Sequence, residues 1–126
     1  MKVDLWVYKQ EAEKELDDIL SYWIKHAVDR EHGGFYGKID NENHTYPDSP
    51  KGSVLNSRIL WAFSAAYNLT KKQEYLLAAK RACDYIFNHF IDYQFGGVYW
   101  GVDYTGSMLN GRKQMYGLAF CIYGLS

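Results

Sequence analysis

The chain has 126 residues, the size of one ordinary domain, and 48% of them are hydrophobic, which supports a buried core and excludes intrinsic disorder. Its 14 Lys and Arg against 15 Asp and Glu leave a formal charge of −1, so no basic field is available to hold nucleic acid or an anionic membrane. No stretch approaches the roughly 20 apolar residues of a membrane span, and the first residues lack the apolar run of a signal peptide, so a soluble, cytoplasmic protein is expected.

From Tyr8 to about Ala27 the apolar residues Leu16, Ile19, Leu20, Trp23 and Ala27 recur at steps of three and four. That spacing predicts an amphipathic helix with Glu11, Glu13, Lys14, Asp17 and Asp18 on its wet side. "DREHGG" stops it, and "GGFYGKIDNENHTYPDSP" then alternates and turns as a short β-hairpin or a structured loop does. Gly52 to Asn68 is apolar on nearly every side, which predicts a helix buried around most of its circumference. Thr70 is placed to cap the next helix, with Gln73 at the capping-box position. That helix is predicted to run to about Phe90 on a stripe of Leu76, Ala79, Cys83, Ile86, Phe87 and Phe90. "GGVYWGVDYTGSMLNGRK" reads as a second hairpin, and a fourth helix begins near Lys113 with "QMYGLAFCIYGLS".

The order is therefore helix, hairpin, helix, written twice. "GGFYGKID" at 33–40 returns 63 positions later as "GGVYWGVD" at 96–103, and "LWAFSAAY" is loosely echoed by "GLAFCIYG". An exposed helix alternating with a buried one describes two concentric layers, as in helical solenoids and closed α/α toroids. The second helix of each unit lacks the polar face that an open inner surface would show, so the toroid is favoured. The last residue, Ser126, lies inside an apolar helix without a cap or stop signal. Six units at this spacing need on the order of 380 residues to close a ring, so residues 1–126 are expected to be the truncated N-terminal segment of a single larger domain.

Arg58 is the foremost candidate for chemistry. It interrupts an otherwise nearly uncharged helix, where a guanidinium needs either a buried carboxylate or carbonyl partner or a polar cavity. Facing a cavity, its fixed fork of donors suits an oxygen that gains negative charge. Tyr116 stands near the start of the second inner helix, where its hydroxyl or ring would reach the same cavity. Trp61, Trp100, Phe35 and Tyr99 are candidate faces for a sugar ring, with core packing as the alternative for each. His26, His32, His44 and His89 fall at helix ends or in loops, form no metal-ligand spacing, and are expected to be solvated or capping. Asp40 and Asp103 are expected to form turns, and are the only carboxylates the repeat brings out. Cys83 and Cys121 lie in apolar helical stretches, as buried thiols rather than a disulfide framework, which favours a reducing compartment.

"GGFYGKID", "LNSRILWAFSAAY", "GGVYWGVD" and "KQMYGLAFCIYGLS", in that order, resemble the N-terminal third of the cellobiose 2-epimerases of the N-acylglucosamine 2-epimerase family. The resemblance implies an all-α (α/α)6 barrel with short β-hairpins. It implies an isomerase that inverts C2 of the reducing-end glucose in β-1,4-linked disaccharides such as cellobiose and lactose, with no cofactor and no metal; monosaccharide and N-acylated substrates belong to the same class. Arg58 matches the family arginine that holds the O1/O2 region of the sugar, and Tyr116 a tyrosine of the substrate cleft. The histidines that carry the proton come from later helices of that family and have no counterpart here, so the segment alone is expected to be inactive. A glycoside hydrolase or lyase on the same toroid, and a sugar- or protein-binding helical module, are the alternatives.

Overall fold

The structure, a computed structural model, describes residues 2–126. Helix α1 spans Leu5–His26, α2 Ser53–Thr70, α3 Gln73–Tyr85 and α4 Met115–Leu125. Three short strands, β1 (Lys51–Gly52), β2 (Gly101–Val102) and β3 (Met108–Asn110), form one antiparallel sheet in the order β1-β2-β3. Lys51 pairs with Val102 and Gly52 with Gly101, so the two glycine-rich segments meet along one ladder.

Each helix boundary has a local cause. Helix α1 starts three residues before the predicted Tyr8, because the Asp4 carboxylate accepts the Trp6 and Val7 amides at 3.0 and 3.4 Å. Thr70 does not cap α3: it lies in the last turn of α2, where its hydroxyl donates to the Ala66 carbonyl at 2.8 Å. Lys72 occupies the N-cap of α3 without a side-chain bond. The third helix does not continue as one α-helix to Phe90. It widens into a π-turn over Ile86–Phe90, closed by Ile91 N–H donating to the Ile86 carbonyl at 3.1 Å. The fourth helix begins at Met115, two residues past the expected Lys113, with Gln114 at its N-cap.

The core is built from Phe35, Leu60, Phe63, Tyr75, Ala82, Ile86, Phe90 and Val102, with Leu20 and Ala27 added from the end of α1. Ala79, Ile86 and Phe90 are buried as the stripe of α3 predicts; Leu76 and Cys83 are half-buried, and Phe87 is exposed. Helix α2 buries Ser53, Asn56, Ser57, Ile59, Leu60, Phe63 and Ala66, but Arg58 and Trp61 stand exposed, so its circumference is not buried all round. Small residues bring α2 and α4 together. A Cβ on Gly124 would lie 2.6 Å from the Ser57 carbonyl oxygen, and one on Gly117 3.1 Å from Ser53 Oγ. Between them Cys121 Sγ lies 2.9 Å from Ser57 Oγ. The Ser57 proton is committed to the Ser53 carbonyl at 2.8 Å, so the thiol is the donor. Cys83 and Cys121 are both free, as expected, and burial pushes both thiols up.

The repeat holds at the level of single bonds. Bridges Val28–Phe35 and Ile91–Val98 are 63 positions apart, as are the ring pairs Tyr22–His26 and Tyr85–His89. Asp40 accepts the amides of Glu42 and His44, each at 2.9 Å; Asp103 accepts those of Thr105 and Ser107 at 2.9 and 3.0 Å, so both are turn formers as expected. They are not the only carboxylates in the repeat. Asp29 accepts the Glu31 and His32 amides, and Asp92 those of Gln94 and Phe95. Each is met by a lysine at the entrance of the inner helix: Lys51 Nζ lies 2.7 Å from Asp29 Oδ2 and 2.9 Å from the Gly33 carbonyl. Lys113 Nζ lies 2.5 Å from Asp92 Oδ2 and 3.0 Å from the Gly96 carbonyl. These two clips pin each Gly-Gly turn to the start of the helix that follows and so set the register of α2 and α4.

Candidate functional site

Helices α1, α2 and α4 surround an open cleft of about 990 Å³. Arg58, Trp61, Tyr116, Phe120 and Tyr123 line it, with Ile19 and Trp23 contributed by α1. The two residues the sequence puts forward, Arg58 from α2 and Tyr116 from α4, therefore share one cavity.

The placement of Arg58 follows from helical spacing. Ser57 and Ile59, its neighbours, are buried, which turns position 58 away from the core. Its side chain is exposed, and among the described residues no carboxylate or carbonyl pairs with it. The internal link to a glutamate or carbonyl that the sequence left open is not observed; the guanidinium faces the cleft with its donors free. Tyr116 is 60% exposed and packs edge-on against Phe120, with ring centroids 4.9 Å apart, so its hydroxyl too is open to a ligand.

Trp61 lies one turn beyond Arg58 on α2 and stacks on Tyr123 of α4 at 5.2 Å with 20° between the rings. The pair forms an aromatic wall beside the guanidinium. The other three aromatic candidates belong to the scaffold. Phe35 is 1% exposed and stacks on Phe63 at 6.2 Å. Trp100 lies against Gly117, and Tyr99 packs under the Lys113 ammonium at 4.8 Å. Phe120 and Tyr123 do not emerge from the sequence reading, although Tyr116, Phe120 and Tyr123 fall at positions i, i+4 and i+7 of one helix face.

None of the four histidines lines the cleft. His44 is exposed and lies 3.3 Å from Asp40 within its own hairpin, and His26 stacks on Tyr22. His89 is not solvated as expected: its Nδ1 lies 3.1 Å from the Gly106 carbonyl, so it braces the second hairpin. His32 lies 3.8 Å from Asp29. No Asp or Glu lines the cleft either, and among the described residues no group of His, Cys, Asp and Glu could hold a metal ion. The cleft thus combines one cation, the phenols of Tyr116 and Tyr123, and aromatic faces. It can bind and polarise an oxygen-rich ring, and it holds no residue able to take a proton from carbon at neutral pH.

The comparisons with known proteins place the chain in a family. The family model described as N-acylglucosamine 2-epimerase (GlcNAc 2-epimerase) matches residues 33–126. The chain is 50% identical over 121 residues to a cellobiose 2-epimerase of Bacteroides fragilis, covering 95% of this chain and 31% of that protein. It is 31% identical over 88 residues to the N-acylglucosamine 2-epimerase of Rattus norvegicus, covering 68% of this chain and 21% of that one. Among solved structures it superposes on a sugar epimerase from a ruminal bacterium with a TM-score of 0.88 at 42% identity, covering 92% of this chain and 30% of that one. The two-layered helical architecture is that of these (α/α)6-barrel enzymes, of which the chain spans about a third of the length. No helix among the described residues is long and apolar enough to cross a membrane.

Proposed function

Since the chain belongs to the N-acylglucosamine 2-epimerase family, we propose that residues 1–126 form the N-terminal segment of one (α/α)6-barrel domain that epimerises a carbohydrate at C2. The substrate is the reducing-end glucose of a β-1,4-linked disaccharide, cellobiose or lactose, which becomes the 2-epimeric mannose. The observation that carries this reading is the convergence of an unpaired Arg58 and an open Tyr116 hydroxyl on one aromatic-walled cleft.

The chemistry needs three things of the protein. A base removes the proton from C2 of the open-chain sugar, and the C2–H electron pair moves into a C1–C2 double bond while charge collects on the C1 oxygen. A donor set stabilises that enediolate. A second acid then returns a proton to C2 from the opposite face. Arg58 supplies the donor set: a planar, permanently charged fork binds two adjacent oxygens, and it binds them more strongly as one becomes an oxyanion. Tyr116 donates to a neighbouring hydroxyl and fixes the ring against Trp61 and Tyr123. The proton-transferring histidines implied by the family lie outside these residues, in keeping with a cleft to which no histidine contributes. Free Cys83 and Cys121 suit a reducing, cytoplasmic setting.

A chimera tests the reading. This chain replaces the matching third of the Bacteroides fragilis relative, and the product is incubated with cellobiose in D2O. Deuterium at C2 together with glucosyl-mannose is the expected outcome; release of free glucose, or a folded chimera that exchanges no C2 proton, refutes it.

A further inference from the structure

The two Gly-Gly turns share their backbone and lysine bonds but differ in what lies on their outer carbonyls. In the first turn the Asp29 carbonyl accepts Gly33 N–H at 3.2 Å, and the Gly34 carbonyl accepts Asp29 N–H at 3.1 Å. Each of these oxygens keeps a second lone pair, and both are taken by α3. Arg81 donates Nε to the Gly34 carbonyl at 2.8 Å and Nη2 to the Asp29 carbonyl. Tyr85, one turn along, lays its ring on the same turn, so close that a Cβ on Gly34 would stand 2.6 Å from it. In the second turn the Asp92 carbonyl accepts Gly96 N–H at 2.8 Å, and the Gly97 carbonyl accepts Asp92 N–H at 3.0 Å. Here, among the described residues, no side chain donates to either oxygen. Gly34 is buried, whereas Gly97 is exposed, and the flanking Tyr93 and Phe95 are 76% and 82% exposed.

We propose that the second Gly-Gly turn is a docking site for an arginine-bearing amphipathic helix, whose guanidinium takes the Asp92 and Gly97 carbonyls as Arg81 takes those of Asp29 and Gly34. The occupant is an outer-layer helix of a further unit of this same architecture, lying on the turn as α3 lies on the first. Two observations choose it over the alternatives. A guanidinium holds its donors in a rigid fork and reaches two carbonyls at once, whereas an ammonium is a single point of charge, so an arginine rather than a lysine is specified. A second copy of this chain does not fit, because its Arg81 is already engaged on its own first turn. Its own outer helix α1 carries Asp18 at the position 63 residues before Arg81, and an ionised carboxylate brings only acceptors to two carbonyl oxygens. The relatives are long enough to carry such units, since the chain covers 31% of one and 30% of another.

The test uses the 126-residue chain, labelled with nitrogen-15, and a helix-stabilised peptide of residues 73–90 whose helicity is verified by circular dichroism. Titration of the peptide is expected to shift the amides of residues 92–97. The R81A peptide is expected to bind at least about tenfold more weakly, because a hydrogen-bonded charge is worth more than one decade in affinity. The R81K peptide falls between the two. Equal affinity for all three peptides, shifts confined to residues 29–34, or no saturation at millimolar peptide each overturns the proposal. The outcome is independent of the catalytic reading, since no residue of the cleft takes part.

Discussion

Lys51 Nζ sits 2.7 Å from Asp29 Oδ2 with both side chains at zero exposure, and it also lies 5.0 Å above the Tyr85 ring. A charge pair this deeply enclosed is no net stabiliser against an apolar substitute, but each member depends on the other. Lys51→Met keeps the chain length and leaves the Asp29 carboxylate buried without its cation. The expected loss is about 3–5 kcal/mol in urea denaturation at neutral pH. Lys113→Met is expected to cost less, because the Lys113 side chain is already 30% exposed and water replaces it. Equal losses for the two variants would contradict this.

Acid should loosen both turns. The Lys113 bond, followed by the Phe95 amide, holds Asp92 below the usual carboxylate range. Burial, the largest influence on Asp29, pushes its carboxyl up, but the His32 amide, Lys51 and the Glu31 amide together outweigh it and hold it low. A carboxylate depressed in the folded state contributes stability that is fully present above its unfolded pKa of about 3.9 and is lost as pH falls through the lower folded value. Stability should therefore be flat from about pH 5 upward with respect to these groups and fall below about pH 4. Carboxyl titration by NMR should show both groups titrating below free Asp, and Lys113→Met should raise Asp92 alone.

The glycines of the first and second turns should differ in what they tolerate. Gly96 has φ +79° with no atom within 4 Å of a built Cβ, so Gly96→Ala costs only the left-handed backbone, about 1–2 kcal/mol. Gly34 has φ +65° and the Tyr85 ring 2.6 Å from that Cβ. Gly34→Ala adds an overpacking cost of about 1–3 kcal/mol to the same backbone cost. Thermal melts of the two variants give the comparison, and Gly96→Ala proving the more damaging would refute it.

Arg58→Ala should leave the fold intact and remove catalysis. The side chain is exposed and pairs with nothing among the described residues, so its loss is expected to move stability by less than about 0.5 kcal/mol. In the chimera described above, kcat for cellobiose should fall by about 10²–10³, the usual cost of one oxyanion donor. Arg58→Lys should recover only part of it, since an ammonium does not reproduce the fork. A variant that fails to fold would show that the guanidinium is structural.

The repeat is legible in the sequence because its turns demand particular residues: a glycine where φ is positive, an Asp where free amides need an acceptor. Asp40 and Asp103 are found in this way. Asp29 and Asp92 obey the same rule but stand outside the conspicuous glycine phrase, and Lys51 and Lys113 look like ordinary surface lysines, so the buried clip is invisible until the chain is folded. Arg58 stands out by its charge and the structure places it on the cleft, yet its exposure could not be read from an apolar helix that also has to pack against neighbours. Thr70 shows the opposite failure. Its capping pattern is genuine, but the hydroxyl bonds backward to Ala66 and extends α2 instead. The aromatic wall was half visible: Trp61 stands out beside Arg58, while Tyr123 needs the face of α4 to be known.

Each lysine closes a loop entirely within its own unit, over 22 residues from Lys51 to Asp29 and 21 from Lys113 to Asp92. Because closure entropy grows only with the logarithm of loop length, the hairpin inside each loop can gain or lose residues at little cost while the fastening remains. The fastening itself lies wholly inside one unit, so tandem duplication copies each clip whole, while bonds such as those of Arg81 to the first turn join one unit to the next. That gives gene duplication a self-contained fastening to copy, and leaves the hairpin tips free to diversify around it.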